Sequence, residues 1–205
     1  MAPNRSRTTL LKTTMTWTPP TIETPRLVLR AVTEDDAAAI YAACSDPRLT
    51  EYTLFETHRT PDDSAAFVRA YALPNYEQGL PEPFAIALKD DPGRLVGCTG
   101  GRWNTQANQC VEFGYWVAVP FWGRGVATEA VRAVIPYLFE ALGPERVQAH
   151  VMTPNAASAR VLEKAGLTYE GTIRSAVLRR GRFWDIRMYS VLRGEWEAGR
   201  AGRVS

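Results

Sequence analysis

The sequence predicts one α/β domain: a mixed sheet with helices on its faces. Three observations lead there. Across Glu112–Ala130, EFGYWVAVPFWGRGVATEA, an apolar, aromatic-rich strand runs into a glycine turn and straight on into a helix. Upstream of it lie strand candidates separated by turn residues, and downstream the order is strand, helix and a final hairpin. The 205 residues show no internal repeat and no second hydrophobic core, which suits a single domain.

Taken in order, Arg26-Leu-Val-Leu-Arg30 alternates and reads as a strand. Thr33 then opens a helix, with Asp36 at a capping-box spacing. Thr60-Pro-Asp-Asp repeats that logic with proline at the first helical position, and this helix is expected to end before Pro74 and the breaker region Gly79–Pro83. Strands are predicted at Phe84–Lys89, Arg94–Trp103 and Cys110–Val119, turning at Asp91-Pro-Gly93 and at Asn104–Asn108. From about Gly125, Ala127, Ala130, Val131, Val134, Ile135, Leu138 and Leu142 recur at helical spacing. Gly143-Pro144 stops that helix, and Pro136 is expected to kink it. Val147–Met152 is the next strand, followed by a short helix from Asn155 to Ala165 closed by Gly166. Two last strands, Leu167–Leu178 and Phe183–Leu192, meet across Arg179–Arg182, with Asp185 anchoring the hairpin. The domain so defined spans 23–196. Residues 197–205 are expected to fray. Residues 1–22, without Asp or Glu but with Arg5, Arg7 and Lys12, suit either a transit segment or a disordered tail; the tail is preferred, with Met15 an alternative start.

Composition narrows the function classes. With 24 Lys+Arg against 22 Asp+Glu, the chain has no electrostatic case for nucleic acid. No apolar run is long enough to span a bilayer. Cys44, Cys98 and Cys110 cannot all pair and lack C-x-x-C spacing, which argues for a reducing, cytoplasmic setting. Two histidines and scattered cysteines make no zinc cluster, so no metal is expected.

Gly123 and Gly125 allow close backbone approach and positive φ. The amides up to Thr128 then suit a pyrophosphate, each favourable charge placement adding roughly 0.3–1 kcal/mol from the helix dipole. The alternative is a plain strand-to-helix turn. Other motifs add to this one: Thr24-Pro-Arg-Leu-Val-Leu-Arg30, Glu112-x-Gly-Tyr-Trp116, Trp122-Gly-x-Gly-x-Ala-Thr-Glu-Ala130 and Asn155-x-x-Ser158 leading to Leu162-Glu-Lys-x-Gly166. From about Thr24 to Trp196 the chain resembles the GNAT acetyltransferases, in particular the RimJ/RimL-type branch. Gly125 and Ala127 match the superfamily signature, while Trp122 stands where Gln or Arg is usual.

The resemblance implies a mostly antiparallel twisted sheet, splayed between the fourth and fifth predicted strands, with helices on both faces. It implies acetyl-CoA as cosubstrate. Pantetheine would lie on Trp116, Val117 and Val119, and pyrophosphate on Trp122, Gly123, Arg124, Gly125, Val126, Ala127 and Thr128. Asn155 would reach the pantetheine or a water, although it also reads as a helix cap. Ser158 would pack against the cosubstrate or protonate the departing thiolate, because the tyrosine many relatives use there is Leu162.

Direct attack by an amine on a thioester needs the amine neutral. At pH 7 roughly a tenth of an α-amine is ready, against under a thousandth of a lysine. Glu112, on the strand beside the thioester and on the face of Gly114 and Trp116, is the first candidate base. Glu170 is the second. The sixth-strand glutamate proposed as base in the ribosomal-protein branch has no counterpart in Arg174-Ser-Ala-Val-Leu178. The cysteines read as buried small hydrophobes and His150 as a strand residue rather than a base. His58 lies in a loop where the resemblance implies the acceptor pocket, and it reads either as a substrate contact or, preferably, as a surface histidine. Tyr52, Phe55, Trp103 and Trp184 line either an acceptor cleft or the core. The expected activity is acetyl transfer from acetyl-CoA to a peptide or protein α-amine, by a monomer or homodimer. The alternatives are a small amine acceptor (aminoglycoside, polyamine or amino acid derivative) or an acyl-CoA-binding module without turnover.

Overall fold

In a computed structural model describing residues 17–201, eight strands form one sheet in the order β1-β2-β3-β4-β5-β6-β8-β7. They are β1 (Ile22–Glu23), β2 (Leu27–Ala31), β3 (Phe84–Leu88), β4 (Asp91–Thr105), β5 (Cys110–Val117), β6 (Arg146–Met152), β7 (Thr168–Arg179) and β8 (Arg182–Leu192). Every neighbouring pair is antiparallel except β5–β6. That parallel pair is short: it joins Cys110 to Arg146, Val111 to Val147 and Glu112 to Gln148, and then the strands part. The expected splay between these two strands is present.

The sheet separates two cores. On one face, α5 (Val126–Leu142) and α6 (Ala156–Ala165) pack Val131, Val134, Leu138 and Leu162 against Val111, Phe113, Val147 and Val151. On the other, α1 (Ala37–Cys44), α2 (Pro47–Thr50), α3 (Pro61–Phe67) and α4 (Leu73–Glu77) cover Ala85, Leu95 and Cys98. Alternation along β5 decides which side chains reach which core: Val111 and Phe113 face α5, while Trp116 faces the smaller cluster.

Three local expectations change. The first turn of the β3–β4 hairpin is Lys89–Asp90, not Asp91-Pro-Gly93. Pro92 and Gly93 instead fall where the register jumps from Leu88↔Asp91 to Ala87↔Leu95, and their carbonyls accept from the Arg30 guanidinium at 3.0 and 3.1 Å. Pro92 is tolerated because a bulge needs no ladder donor at that point. The helix begun at Thr60 does not stop before Pro74. A π turn over Val68–Ala72, with Leu73 N–H bonded to the Val68 carbonyl, realigns the chain so that Pro74 enters the first turn of α4. The boundary at 197 falls inside a helix, α7 (Arg193–Ala201), whose Trp196 stacks on Phe139 at 4.8 Å. Of the extension, 1–16 lie outside the described residues, and Ile22 already belongs to β1.

Candidate active site

The glycine turn is held from the other end of the chain. Glu129, in the first turn of α5, accepts from Thr24 Oγ1 at 2.6 Å and from the Arg26 amide at 2.9 Å, and it pairs with the Arg26 side chain. Arg26 also donates to the Arg124 carbonyl at 2.9 Å. The Thr24–Arg30 motif is therefore a clasp on the loop, and at its far end Arg30 makes a bidentate pair with the buried Asp36. Gly125 takes φ +78°, and a Cβ there would lie 3.3 Å from Arg26. A residue without a side chain fits for both reasons. As N-cap it contributes no side-chain bond, and the first helical bond runs from Glu129 N–H to the Gly125 carbonyl. The amides of Val126, Ala127 and Thr128 precede that ladder and open on a cleft of about 1230 Å³.

This cleft follows the gap between β5 and β6. Trp116, Val117, Trp122, Gly123, Gly125, Val126, Ala127, Thr128, Asn155 and Ser158 all line it. Two expected contacts do not. Val119 sits in a single 3₁₀ turn and packs on the smaller core, and Arg124 lays its guanidinium over Phe121 at 5.7 Å. Trp122 donates its indole N–H to the Val117 carbonyl at 2.6 Å, tying the turn to the end of β5. Asn155 is the cap of α6, accepting from Ser158 N–H at 3.0 Å, and it faces the cleft as well.

Glu112 lies on the cleft wall where β5 and β6 separate. The parallel register sets Gln148 beside it, and Gln148 Nε2 donates to Oε2 at 2.9 Å. Two residues on, His150 Nδ1 stands 3.2 Å from Oε1. The His150 contact, helped by Gln148, holds the Glu112 carboxyl below the usual carboxylate range against an opposing effect of burial. His150 lies on β6 as expected of a strand residue, but it also lines the cleft, where it and Glu112 form a carboxylate–imidazole pair.

Glu170, the second candidate base, lies away from the cleft. It forms an ion pair with Arg146 and accepts from Ser190 Oγ at 2.7 Å. Ser158 meets a partner that the sequence did not suggest. Its Oγ lies 2.7 Å from the Tyr115 hydroxyl, which also donates to the Ser158 carbonyl at 3.1 Å. Burial pushes the Tyr115 phenol up, keeping it protonated. Leu162 is fully buried in the core.

Tyr52, Phe55 and His58 line the far end of the cleft. Trp184 sits outside it, edge-on to Tyr52 at 6.2 Å, and Trp103 packs against the larger core. Burial raises the Cys44 thiol to about 12 and pushes the Cys98 thiol well above its ordinary value, so both remain protonated, as non-nucleophilic cysteines should. Asp185 Oδ1 accepts from Ser175 N–H at 2.8 Å, the expected anchor of the last hairpin.

A mixed sheet that opens between two parallel strands, with unblocked helix amides at one end of the opening and a carboxylate–imidazole pair along it, defines an acyltransferase-type fold and site. The chain matches the acetyltransferase (GNAT) domain over residues 26–168 and belongs to that family of enzymes. It is 32% identical over 174 residues to YoaA, an uncharacterized N-acetyltransferase of Bacillus subtilis (strain 168), covering 85% of this chain and 97% of that one. It is 39% identical over 105 residues to YdaF, a putative ribosomal N-acetyltransferase of the same organism, covering 51% and 57%. A GNAT-family acetyltransferase structure from Bacillus anthracis superposes with a TM-score of 0.75 at 25% identity, over 84% of this chain and 98% of that one.

Proposed function

We propose that this protein transfers acetyl from acetyl-CoA directly to a peptide or protein α-amine, as a RimJ/RimL-type member of its family. The observation that carries this is the placement of two proton-handling pairs on opposite faces of one strand. Glu112 and His150 face the α1–α4 side of the gap, and Tyr115 with Ser158 faces α6. The glycine turn and the amides of 126–128 suit a pyrophosphate, and Arg160 and Lys164 on the neighbouring wall add positive charge.

Bound there, acetyl-CoA supplies the thioester. Glu112, ionised across the neutral range, orients His150 through its Nδ1, so the pair can take the proton from the attacking amine. Imidazoles as a class suit this transfer at neutral pH better than free carboxylates. Backbone N–H groups on the open edge of β5 suit the developing oxyanion. The Tyr115 hydroxyl, relayed by Ser158, returns a proton to the departing sulfur. No covalent acyl-enzyme is needed, and the protonated cysteines offer no route to one.

The α-amine is favoured by its lower pKa and by the partial likeness to the putative ribosomal acetyltransferase. A cytoplasmic setting accords with the free thiols at Cys44, Cys98 and Cys110. The test is acceptor-dependent release of CoA thiol with N-terminal peptides, N-blocked peptides and small amines side by side. Turnover confined to free α-amines supports the reading. Turnover confined to small amines replaces it with a metabolite-modifying one. CoA binding without turnover on any acceptor leaves the binding-module alternative.

A further inference from the structure

The cleft holds a second carboxylate that the mechanism above does not use. Glu82 lines it, 18% of its side chain stays exposed, and its Oε2 is buried without a hydrogen-bond partner. The nearest cation is Arg102 Nε at 3.8 Å, too far for a hydrogen bond, and the Arg102 guanidinium makes none. A buried carboxylate oxygen left unpaired is costly, which points to a ligand group that completes it.

The backbone is shaped to bring Glu82 there. A Cβ on Gly100 would lie 2.9 Å from the Pro81 carbonyl and 3.0 Å from Glu82 Cα, so only glycine lets this loop rest against β4. Gly100 is the cross-strand partner of Gly114, over which there is open space. Two residues along, Arg102 pairs with Glu112, placing both on the same face. Glu82, Arg102 and Glu112 thus border a bare glycine floor. Burial pushes the Glu82 carboxyl up, opposed by a Tyr71 hydrogen bond and by the Arg102 charge, so an incoming cation would favour its ionised form.

We infer that Glu82 and Arg102 are the specificity-determining pair for the acceptor, recognising the head of a peptide. The Glu82 carboxylate takes an N–H of the arriving α-ammonium, and the free donors of Arg102 take the adjacent carbonyl oxygen. An acceptor with amine and carbonyl on neighbouring atoms satisfies both; an alkylamine, polyamine or lysine side chain satisfies one. This rests on the acetyltransferase reading and names the acceptor chemistry of that same site.

The experiment measures kcat and KM for an alanyl peptide amide and for n-propylamine, with the wild type, Glu82→Gln and Arg102→Met. The wild type should prefer the peptide. Glu82→Gln should raise the peptide KM by about tenfold or more and leave the KM for acetyl-CoA unchanged, which also reports an intact fold. Arg102→Met should collapse the preference for the peptide over n-propylamine. Because both acceptors use the same base, that ratio is insensitive to any change in Glu112. Turnover with unchanged peptide KM in Glu82→Gln, or an unchanged ratio in Arg102→Met, overturns the inference and leaves the acetyltransferase reading standing. A wild type that acetylates no amine overturns both.

Discussion

Glu112 and Tyr115 sit three residues apart on one strand, and alternation sends them to opposite faces of the sheet. If the Glu112–His150 pair is the base, Glu112→Gln should lower kcat by about 10²-fold or more. His150→Gln should do nearly the same, and the double variant should lose little beyond either single one, since the two act as a unit. An unchanged rate across pH in Glu112→Gln would remove it as part of the base. Tyr115→Phe should lower kcat by about 10²-fold with acetyl-CoA KM retained, if the phenol serves the leaving sulfur; a KM effect alone would make Tyr115 a packing residue. The sequence exposes Glu112 because alternation within one strand places it. It hides His150, because only the β5–β6 register, between positions 38 apart along the chain, brings the ring to the carboxylate. Tyr115 was hidden for the same kind of reason: its partner lies on α6, across the opening.

Among the elements, the β7–β8 hairpin reaches beyond its own strands to the segment around 53–56. Arg179, at its tip and only 5% exposed, donates to the carbonyls of Thr53 at 2.7 Å and Phe55 at 2.9 Å and pairs with Glu56. That segment carries Tyr52, Thr53, Leu54, Phe55 and His58, one wall of the cleft away from the glycine turn. One side chain with planar, fixed donors thus fixes a loop that has no regular structure of its own. Arg179→Lys, keeping charge but losing the fork, should raise the acceptor KM several-fold with acetyl-CoA KM unaffected. Equal changes in both constants would assign Arg179 to general stability instead. Element order was legible because periodicity and turn residues are local signals. The errors came where a local signal was overruled: a π turn absorbed Pro74, a bulge absorbed Pro92, and stacking of Trp196 on Phe139 carried α7 past the expected end.

At the scale of the whole molecule, the gap that makes the site is also the sheet's weak joint. β5 and β6 share three register pairs, and beyond them the two halves are joined by helices α5 and α6 and by side chains. On the far half, Arg146 at the start of β6 pairs with Glu170 on β7, and Ser190 on β8 donates to the same carboxylate. That carboxylate therefore laces three strands beside the joint. The Arg146 hydrogen bonds bring its pKa from an ordinary 4.5 to about 2. A carboxyl depressed on folding stabilises the protein fully above its unfolded pKa, so this contribution is intact above about pH 4.5 and disappears as pH falls toward 2. The pair is partly solvated, and its worth is correspondingly modest. Glu170→Gln should lower Tm at neutral pH by no more than about 2–4 °C, and it should flatten the fall in Tm between pH 4.5 and 2. Its kcat should stay near that of the wild type, because Glu170 lies outside the cleft. Loss of activity with unchanged Tm would reverse that assignment and return Glu170 to the catalytic candidates.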